Sequence, residues 1–242
     1  ITKGGVAMSK SKGNVVPVDV AVDTYGADTA RAFILFIAPP ELDAEWSDRG
    51  AAGAHRFLNR VWSLVLEEPP AHQGEATPDQ IAQLRRKTHQ TIRKVTQDME
   101  SFSFNTMIAA LMEYNNYLIK AKESPVVKSE AWQEAIESLL LLLAPSCPHI
   151  AEELWARTGR PYSIHQQAWP QWDEALAAEE VFTLVMQVNG KVRDKTEAPV
   201  TISEEEARKL ALASAGVKRH TEGKEIKRVI YVPGRLVNIV TQ

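Results

Sequence analysis

The apolar residues of this chain change their spacing once, and that change divides the fold. Ala54, Phe57, Leu58, Val61, Trp62 and Val65 recur at helical intervals and share one helix face. Ile81, Leu84, Thr88, Ile92, Val95 and Met99 line a second helix, whose other side holds Arg85, Arg86, Lys87, Arg93 and Lys94. Ile108, Leu111, Met112, Asn115, Leu118 and Ile119 line a third. A fourth covers residues 129–144 and stops at Pro145, and Pro148 fits the first turn of a fifth that reaches Trp155. Five helices with short connections predict an antiparallel bundle. Beyond residue 180 the period falls to two. Thr183–Val188 and Lys191–Thr196 flank Asn189-Gly190. An Asn-Gly pair between such runs predicts a hairpin, because both turn residues need positive φ. Ser203 and Glu206 have capping-box spacing and open a helix to Ala213. Ile226–Val232 and Leu236–Val240 form a second hairpin around Pro233-Gly234, so the tail reads as a small ββαββ domain.

Residues 1–16 are polar and rich in Gly and Ser, which predicts a loop. Two short helices follow, Val18–Tyr25 and Asp28–Ile37. Gly26 serves as the C-terminal cap of the first, Asp28 caps the second, and Pro39-Pro40 ends it. Residues 67–79 read as a loop and 159–180 as a connector rich in Trp, Pro and acid. The fold class is therefore mainly α. The expected parts are a loop and connecting helices over 1–50, a helical bundle over 51–175 and a small α+β domain over 181–242.

Composition excludes several classes. No apolar run approaches the ~18 residues of a membrane helix, and no signal peptide is visible. The single cysteine, Cys147, excludes an internal disulfide and a cysteine-based zinc site, which points to the cytoplasm. The chain opens on Ile1 rather than Met, which suggests a fragment or a processed chain. Net charge is −3, but Val181–Gln242 holds 11 Lys and Arg against 7 Asp and Glu, a net +4 on a body of −7. Such asymmetry suits a polyanion partner at one end, or a charged surface without a partner.

The segment with the most chemistry is Ala7-Met-Ser-Lys-Ser-Lys-Gly-Asn14. Two ammonium groups offset phosphate charge, two hydroxyls donate hydrogen bonds, and a glycine lets backbone approach. Loops of this composition are most often merely solvated. The string Met8-Ser9-Lys10-Ser11, followed by Lys12-Gly13-Asn14, resembles the KMSKS signature of class I aminoacyl-tRNA synthetases, with Ala7 at the position of the first lysine. The resemblance implies that Met8, Ser9, Lys10, Ser11 and Lys12 bind ATP, and that Lys10 is the catalytic contact to its phosphates as the adenylate forms.

Further motifs follow in that family's order. Tyr25-Gly-Ala-Asp-Thr-Ala-Arg31 resembles the segment after the signature in the Leu, Ile, Val and Met synthetases. Glu45-Trp-Ser-Asp48 with Gly53–Trp62 resembles the entry to the anticodon-binding-type bundle of leucyl enzymes. There Arg56 and Arg60 share a helix side, free to meet tRNA phosphates or to pair with local acids. Ala144–Trp155 resembles the LAPxxPHxxEELW segment of the same bundle. His149 beside Glu152 and Glu153 matches no two-histidine zinc spacing, so no bound metal is expected and packing accounts for it better. Val188–Arg193 and Val229–Val240 resemble the C-terminal domain of bacterial leucyl-tRNA synthetases. In that family the domain contacts the tRNA corner. Lys191, Arg193 and Lys195 alternate along a strand and are expected on one face, with Lys224, Lys227, Arg228 and Arg235 joining them.

The resemblance implies an ATP-dependent ligase joining leucine to its tRNA, with Mg2+ accompanying ATP. The partners are tRNA(Leu) and ATP, and leucine through a catalytic core. No segment resembles that Rossmann core or the editing domain, so the chain alone is expected to be inactive, and a partner chain bearing the core is one way to complete it. Neither a membrane nor DNA is an expected partner. The runners-up are an isoleucyl- or valyl-type fragment and a non-catalytic tRNA-binding module.

Overall fold

Three of the long helices of the first unit start where a local Ser or Thr hydroxyl accepts from the first turn: Ser47, Thr77 and Ser129. The computed structural model describes residues 1–178 and 181–242, which divide into two units, Ile1–Ala177 and Ala178–Gln242. The first opens with a two-stranded hairpin, β1 (Thr2–Lys3) and β2 (Val6–Ala7), inside what reads in the sequence as plain loop. Helices α1 (Val18–Tyr25) and α2 (Ala27–Phe36) come next. Gly26 joins them at φ 88°, a region where a side chain would clash. Gly26, not Asp28, is the N-cap of α2, so the expected role of Asp28 as cap of its own helix is corrected. Asp28 lies in the first turn, buried, and serves a different helix.

The bundle proper comprises α3 (Asp48–Leu66), α4 (Pro78–Glu100), α5 (Phe104–Ala121), α6 (Glu130–Leu143) and α7 (Pro148–Arg157). Ser47 caps α3, its hydroxyl accepting from Gly50 N at 3.1 Å. Thr77 and Gln80 form a reciprocal capping box, so α4 begins at Pro78, inside the stretch expected to be loop. Helix α6 buries ten of its 14 residues, which makes it the element the others surround. At the centre Tyr114 is fully buried, its hydroxyl 2.7 Å from Thr88 Oγ1 and donating to Ala135 O. Ala32 and Phe33 of α2 join the same core, so the segment carrying the loop shares the bundle's packing.

The stretch 159–177 is more than a connector. It folds as a 3₁₀ turn (Ile164–Gln166) and α8 (Glu174–Ala177) along α4. Trp169 Nε1 donates to Thr96 Oγ1 at 2.8 Å, Asp173 N to His89 Nδ1 at 3.0 Å, and Gln90 Nε2 to Ala177 O at 3.1 Å.

The second unit contains β3 (Val181–Val188), β4 (Lys191–Pro199), α9 (Glu204–Ala213), α10 (Ala215–Thr221), β5 (Ile226–Val232) and β6 (Leu236–Thr241). Asn189 and Gly190 take φ 49° and 76°, as a tight hairpin requires. The expected single helix is two. Ser214 ends α9 and caps α10 through its hydroxyl. The sheet order is β4-β3-β6-β5, with β3 and β6 parallel. Both helices share a core with one sheet face, built on Leu184, Met186, Val188, Val237 and Ile239.

One expectation about this sheet is overturned. Met186 pairs with Asp194 but Gln187 pairs with Val192, so Arg193 is the extra residue of a β-bulge. Lys191 lies opposite Val188 on the helix-covered side, and Lys195 lies opposite Val185 on the other. The predicted single face for Lys191, Arg193 and Lys195 does not form, because a bulge resets the period of two.

Candidate functional site

The loop after β2 is closed by one side chain. Asn14 Oδ1 accepts from Ser9 N at 2.9 Å, and its Nδ2 donates to Val6 O and Ala7 O at 3.3 Å each. Between those anchors Lys10–Lys12 form a single 3₁₀ turn, and Gly13 at φ 64° returns its N–H to Lys10 O. The Ser9 and Ser11 hydroxyls are 3.2 Å apart. Lys10, Ser11 and Lys12 are exposed, and no described acid pairs with either lysine. Residues 8–14 contain no carboxylate. The turn is thus a patch of uncompensated positive charge with adjacent hydroxyls, a donor set for phosphate oxygens rather than for a cation. Asn14 thus shapes the turn, a role not assigned to it from sequence. A Gly-Asn pair closing a Lys-rich turn was the available signal.

The foot of the loop is tied to the bundle. Thr2 N donates to Ala44 O and Trp46 N to Thr2 O, both at 2.8 Å. The Trp46 ring stands edge-on to Phe33 of α2 at 5.1 Å. Beside it opens an apolar cleft of about 440 Å³, lined by residues that include Met8, Val18, Ile34 and Trp46. Its one charged residue, Arg31, is committed elsewhere. Arg31 Nε donates to Ser146 O at 3.0 Å and Nη2 to Pro145 O at 3.1 Å. The neighbouring Asp28 accepts from Ile150 N at 2.6 Å and from His149 Nδ1 at 2.7 Å, so it caps α7. Helix α2 therefore grips the α6–α7 turn with both an acid and a base. His149 is engaged here, Glu152 accepts from Ile164 N, and Glu153 pairs with Arg157, which leaves that segment to packing. Cys147 Sγ is buried against Asp28 O, and burial pushes its thiol up to about 12, so it is no nucleophile at neutral pH.

Two basic surfaces of the bundle differ in character. On α4, Arg85 and His89 meet Glu134 at 3.4 and 3.1 Å, Arg93 meets Glu174 at 2.9 Å, and Lys94 meets Asp98 at 2.6 Å. That face is largely neutralised. On α3, Arg56 and Arg60 are exposed and make no described ion pair. Arg49, seven residues before Arg56, extends the same stripe and is likewise exposed. Among the described residues of the bundle, α3 thus carries exposed guanidinium groups without a described ion pair.

In the second unit the register sorts the expected basic residues. Asn189 bonds Thr241 in both directions, and Thr241 pairs with Ile226, so Lys191, Lys224 and Lys227 gather at the Asn189-Gly190 end of the sheet. Arg235 lies in the opposite turn, about 13 Å along the strands at ~3.3 Å per residue. Lys195 lies between, on the uncovered face. Arg193 is half-buried at the bulge with its Nε unpartnered. Asp194 beside it anchors α10. The Ser214 hydroxyl hydrogen bond holds its carboxyl below the usual range, aided by the backbone N–H groups of Lys195 and Gly216.

Residues 82–208 match the family model described as the anticodon-binding domain of tRNA ligase. The chain is 51% identical over 235 residues to the leucine–tRNA ligase of Dehalococcoides mccartyi strain 195, covering 97% of this chain and 29% of that protein. It is 50% identical over 249 residues to that of Geotalea uraniireducens strain Rf4, covering 99% and 30%. The chain thus spans less than a third of the length of the curated relatives it matches. Among solved structures it is similar to the ternary complex of an Agrobacterium radiobacter K84 LeuRS with tRNA and LeuAMS. That match has a TM-score of 0.80 at 32% identity, over 100% of this chain and 32% of that one.

Proposed function

The chain belongs to the family of anticodon-binding domains of tRNA ligases, and from that premise we propose that it is the portion of a leucine–tRNA ligase that supplies the ATP-phosphate loop and the RNA-binding surfaces. The observation that carries the reading is the Asn14-closed turn with Lys10 and Lys12 exposed and uncompensated. The whole ligase would convert ATP, leucine and tRNA(Leu) to leucyl-tRNA, AMP and pyrophosphate. Lys10 Nζ would neutralise charge on the phosphate oxygens as the adenylate forms. Lys12 and the hydroxyls of Ser9 and Ser11 would hold the same oxygens in place, and Met8 would seat the turn on the cleft at its foot. Electrostatic stabilisation of this kind is strongest when a closed loop excludes water. Mg2+ would arrive with ATP, since the loop has no acidic ligand for it. Leucine would be held by parts of the ligase outside these 242 residues.

The RNA would meet the chain at two places. Arg56 and Arg60 on α3 are free to contact phosphates, whereas the α4 cations are mostly spent on acids. In the second unit Lys191, Lys224 and Lys227 would take the tRNA corner, with Lys195, Arg193 and Arg235 as flanking contacts. Among the described residues no helix is long and apolar enough to cross a membrane, and the cytoplasm is the proposed site of action. The test is binding of the purified chain to leucine tRNA and to a tRNA of another specificity, at low and moderate salt. The reading expects preference for leucine tRNA and steep weakening with salt. Binding that ignores salt, or no binding to either RNA, would overturn it.

A further inference from the structure

Lys10 stands on a turn that does little to fix its own place. Lys12 N donates to Ser9 O at 3.1 Å and Gly13 N to Lys10 O at 3.2 Å, and the Ser9 and Ser11 hydroxyls meet at 3.2 Å. These bonds shape the turn from within, but none ties it to the rest of the chain. Lys10, Ser11, Lys12 and Gly13 are all exposed, so packing does not hold them either.

Asn14 makes the missing connection. It is half-buried beneath the exposed turn. Ser9 N has no backbone partner, and Asn14 Oδ1 satisfies it. The Asn14 Nδ2 group donates to Val6 O and Ala7 O, the two carbonyls of β2. One acceptor and two donors on the amide thus meet one donor and two acceptors on the backbone. Among the described residues, Asn14 is the one member of 8–14 whose side chain bonds outside the turn. The hairpin below is anchored in its own right. Ala7 pairs with Thr2, Thr2 bonds Ala44 and Trp46, and Gly5 N donates to Glu45 Oε1 at 3.2 Å. A path of hydrogen bonds therefore leads from the residues just ahead of α3, through β1 and β2, to Asn14. It ends at the Ser9 amide, one residue before Lys10.

A long lysine side chain stabilises developing charge best when its backbone is already in place, because the ordering is then done before the reaction. We propose that Asn14 is a positioning residue for the activation step. Its amide clamps the Lys10 turn to the β1–β2 hairpin, so that Lys10 Nζ meets the phosphates without first ordering the loop. The proposal rests on the assignment of Lys10 to the ATP phosphates and names the side chain that makes that contact effective. Asn14 acts through Lys10 and not on the substrate. Aspartate would be a poor replacement. It keeps an acceptor for Ser9 N, but it has no donor for Val6 O and Ala7 O and sets a carboxylate inside the positive patch.

The experiment is leucine-dependent ATP–pyrophosphate exchange by the full-length ligase carrying this segment, resolved into kcat and KM for ATP. The variants are Asn14→Ala, Asn14→Asp, Lys10→Ala and the double variant Asn14→Ala/Lys10→Ala, with thermal melting to verify each fold. Asn14→Ala should lower kcat about tenfold and leave KM for ATP within about twofold of the wild type. Asn14→Asp should lower kcat at least as far. In the Lys10→Ala background the loss of Asn14 should cost less than about twofold, because the group it positions is already gone. Asn14→Ala or Asn14→Asp with wild-type turnover overturns the proposal. So does a full tenfold loss in both backgrounds, which would show Asn14 acting independently of Lys10. Wild-type exchange by Lys10→Ala overturns the phosphate assignment of Lys10 instead, a result read from that variant alone.

Discussion

Replacing Asp28 with alanine should weaken the first unit by about 1–3 kcal/mol. The carboxylate is buried at the joint between α2 and α7 and receives two hydrogen bonds, from Ile150 N and His149 Nδ1. Loss of an N-cap costs about 1–2 kcal/mol. The His149 ring is 73% exposed, so solvent screening limits that pair to about 1 kcal/mol or less. Asp28→Asn keeps an acceptor for Ile150 N and should cost about 1 kcal/mol. For a unit of this size, the alanine variant should melt about 2–12 °C lower. All six tryptophans lie within Ile1–Ala177, so denaturant titration followed by tryptophan fluorescence reports this unit alone. A double-mutant cycle with His149→Ala isolates the pair from the cap. An alanine variant within about 0.5 kcal/mol of wild type, or an asparagine variant as damaged as alanine, would refute the assignment of Asp28 as the cap of α7.

Lys122 Nζ donates to Ser63 O, Leu64 O and Glu67 O at 3.3, 3.1 and 2.6 Å, closing the C-terminus of α3, and burial lowers its pKa. Lys122→Met should therefore cost about 2–3 kcal/mol in the same fluorescence titration, through orphaned carbonyls and the lost helix-end cation. A Cβ at Gly216 would stand 2.4 Å from Arg193 O, so Gly216→Ala should destabilise the second unit by more than about 1 kcal/mol, measured by amide hydrogen exchange. Asp194 and Glu206 both have depressed pKa values, chiefly from hydrogen bonds with Ser214 and with the Ser203 backbone N–H. A depressed carboxyl contributes stability above its unfolded pKa and loses it as pH falls through the folded value. The second unit should thus melt progressively lower below about pH 4, followed by amide proton spectra, and Asp194→Asn should flatten that dependence.

Much of this architecture is local and was legible. The stripes of α3, α4 and α5 read directly as helix faces, Pro145 and Pro148 marked the break between α6 and α7, and Asn189-Gly190 declared its turn because few other pairs tolerate two positive φ values. The Ser203–Glu206 capping box stood at the start of its helix for the same local reason. What escaped the sequence depends on distant partners. Asp28 has cap chemistry, but the helix it caps begins 120 residues later, and nothing nearby in sequence distinguishes that target from its own helix. The Arg193 bulge is invisible because one inserted residue leaves the apolar pattern of β4 too weak to register the shift. The stretch over 159–177 looked like a linker because its ordering rests on single contacts, Trp169 to Thr96 and Asp173 to His89, rather than on a period. Within the loop the lysines carried the signal, while Asn14, which shapes the turn, has no charge to announce it.

Lys10 is proposed to lie on the ATP phosphates of a leucine-activating enzyme. The most direct test is leucine-dependent ATP–pyrophosphate exchange by the full-length ligase carrying this segment, with and without Lys10→Ala. Removing one electrostatic group of this kind costs about 2–4 kcal/mol, so exchange should fall by roughly 30- to 900-fold while tRNA binding holds. Exchange within about tenfold of wild type, or exchange that does not depend on leucine, would contradict the account.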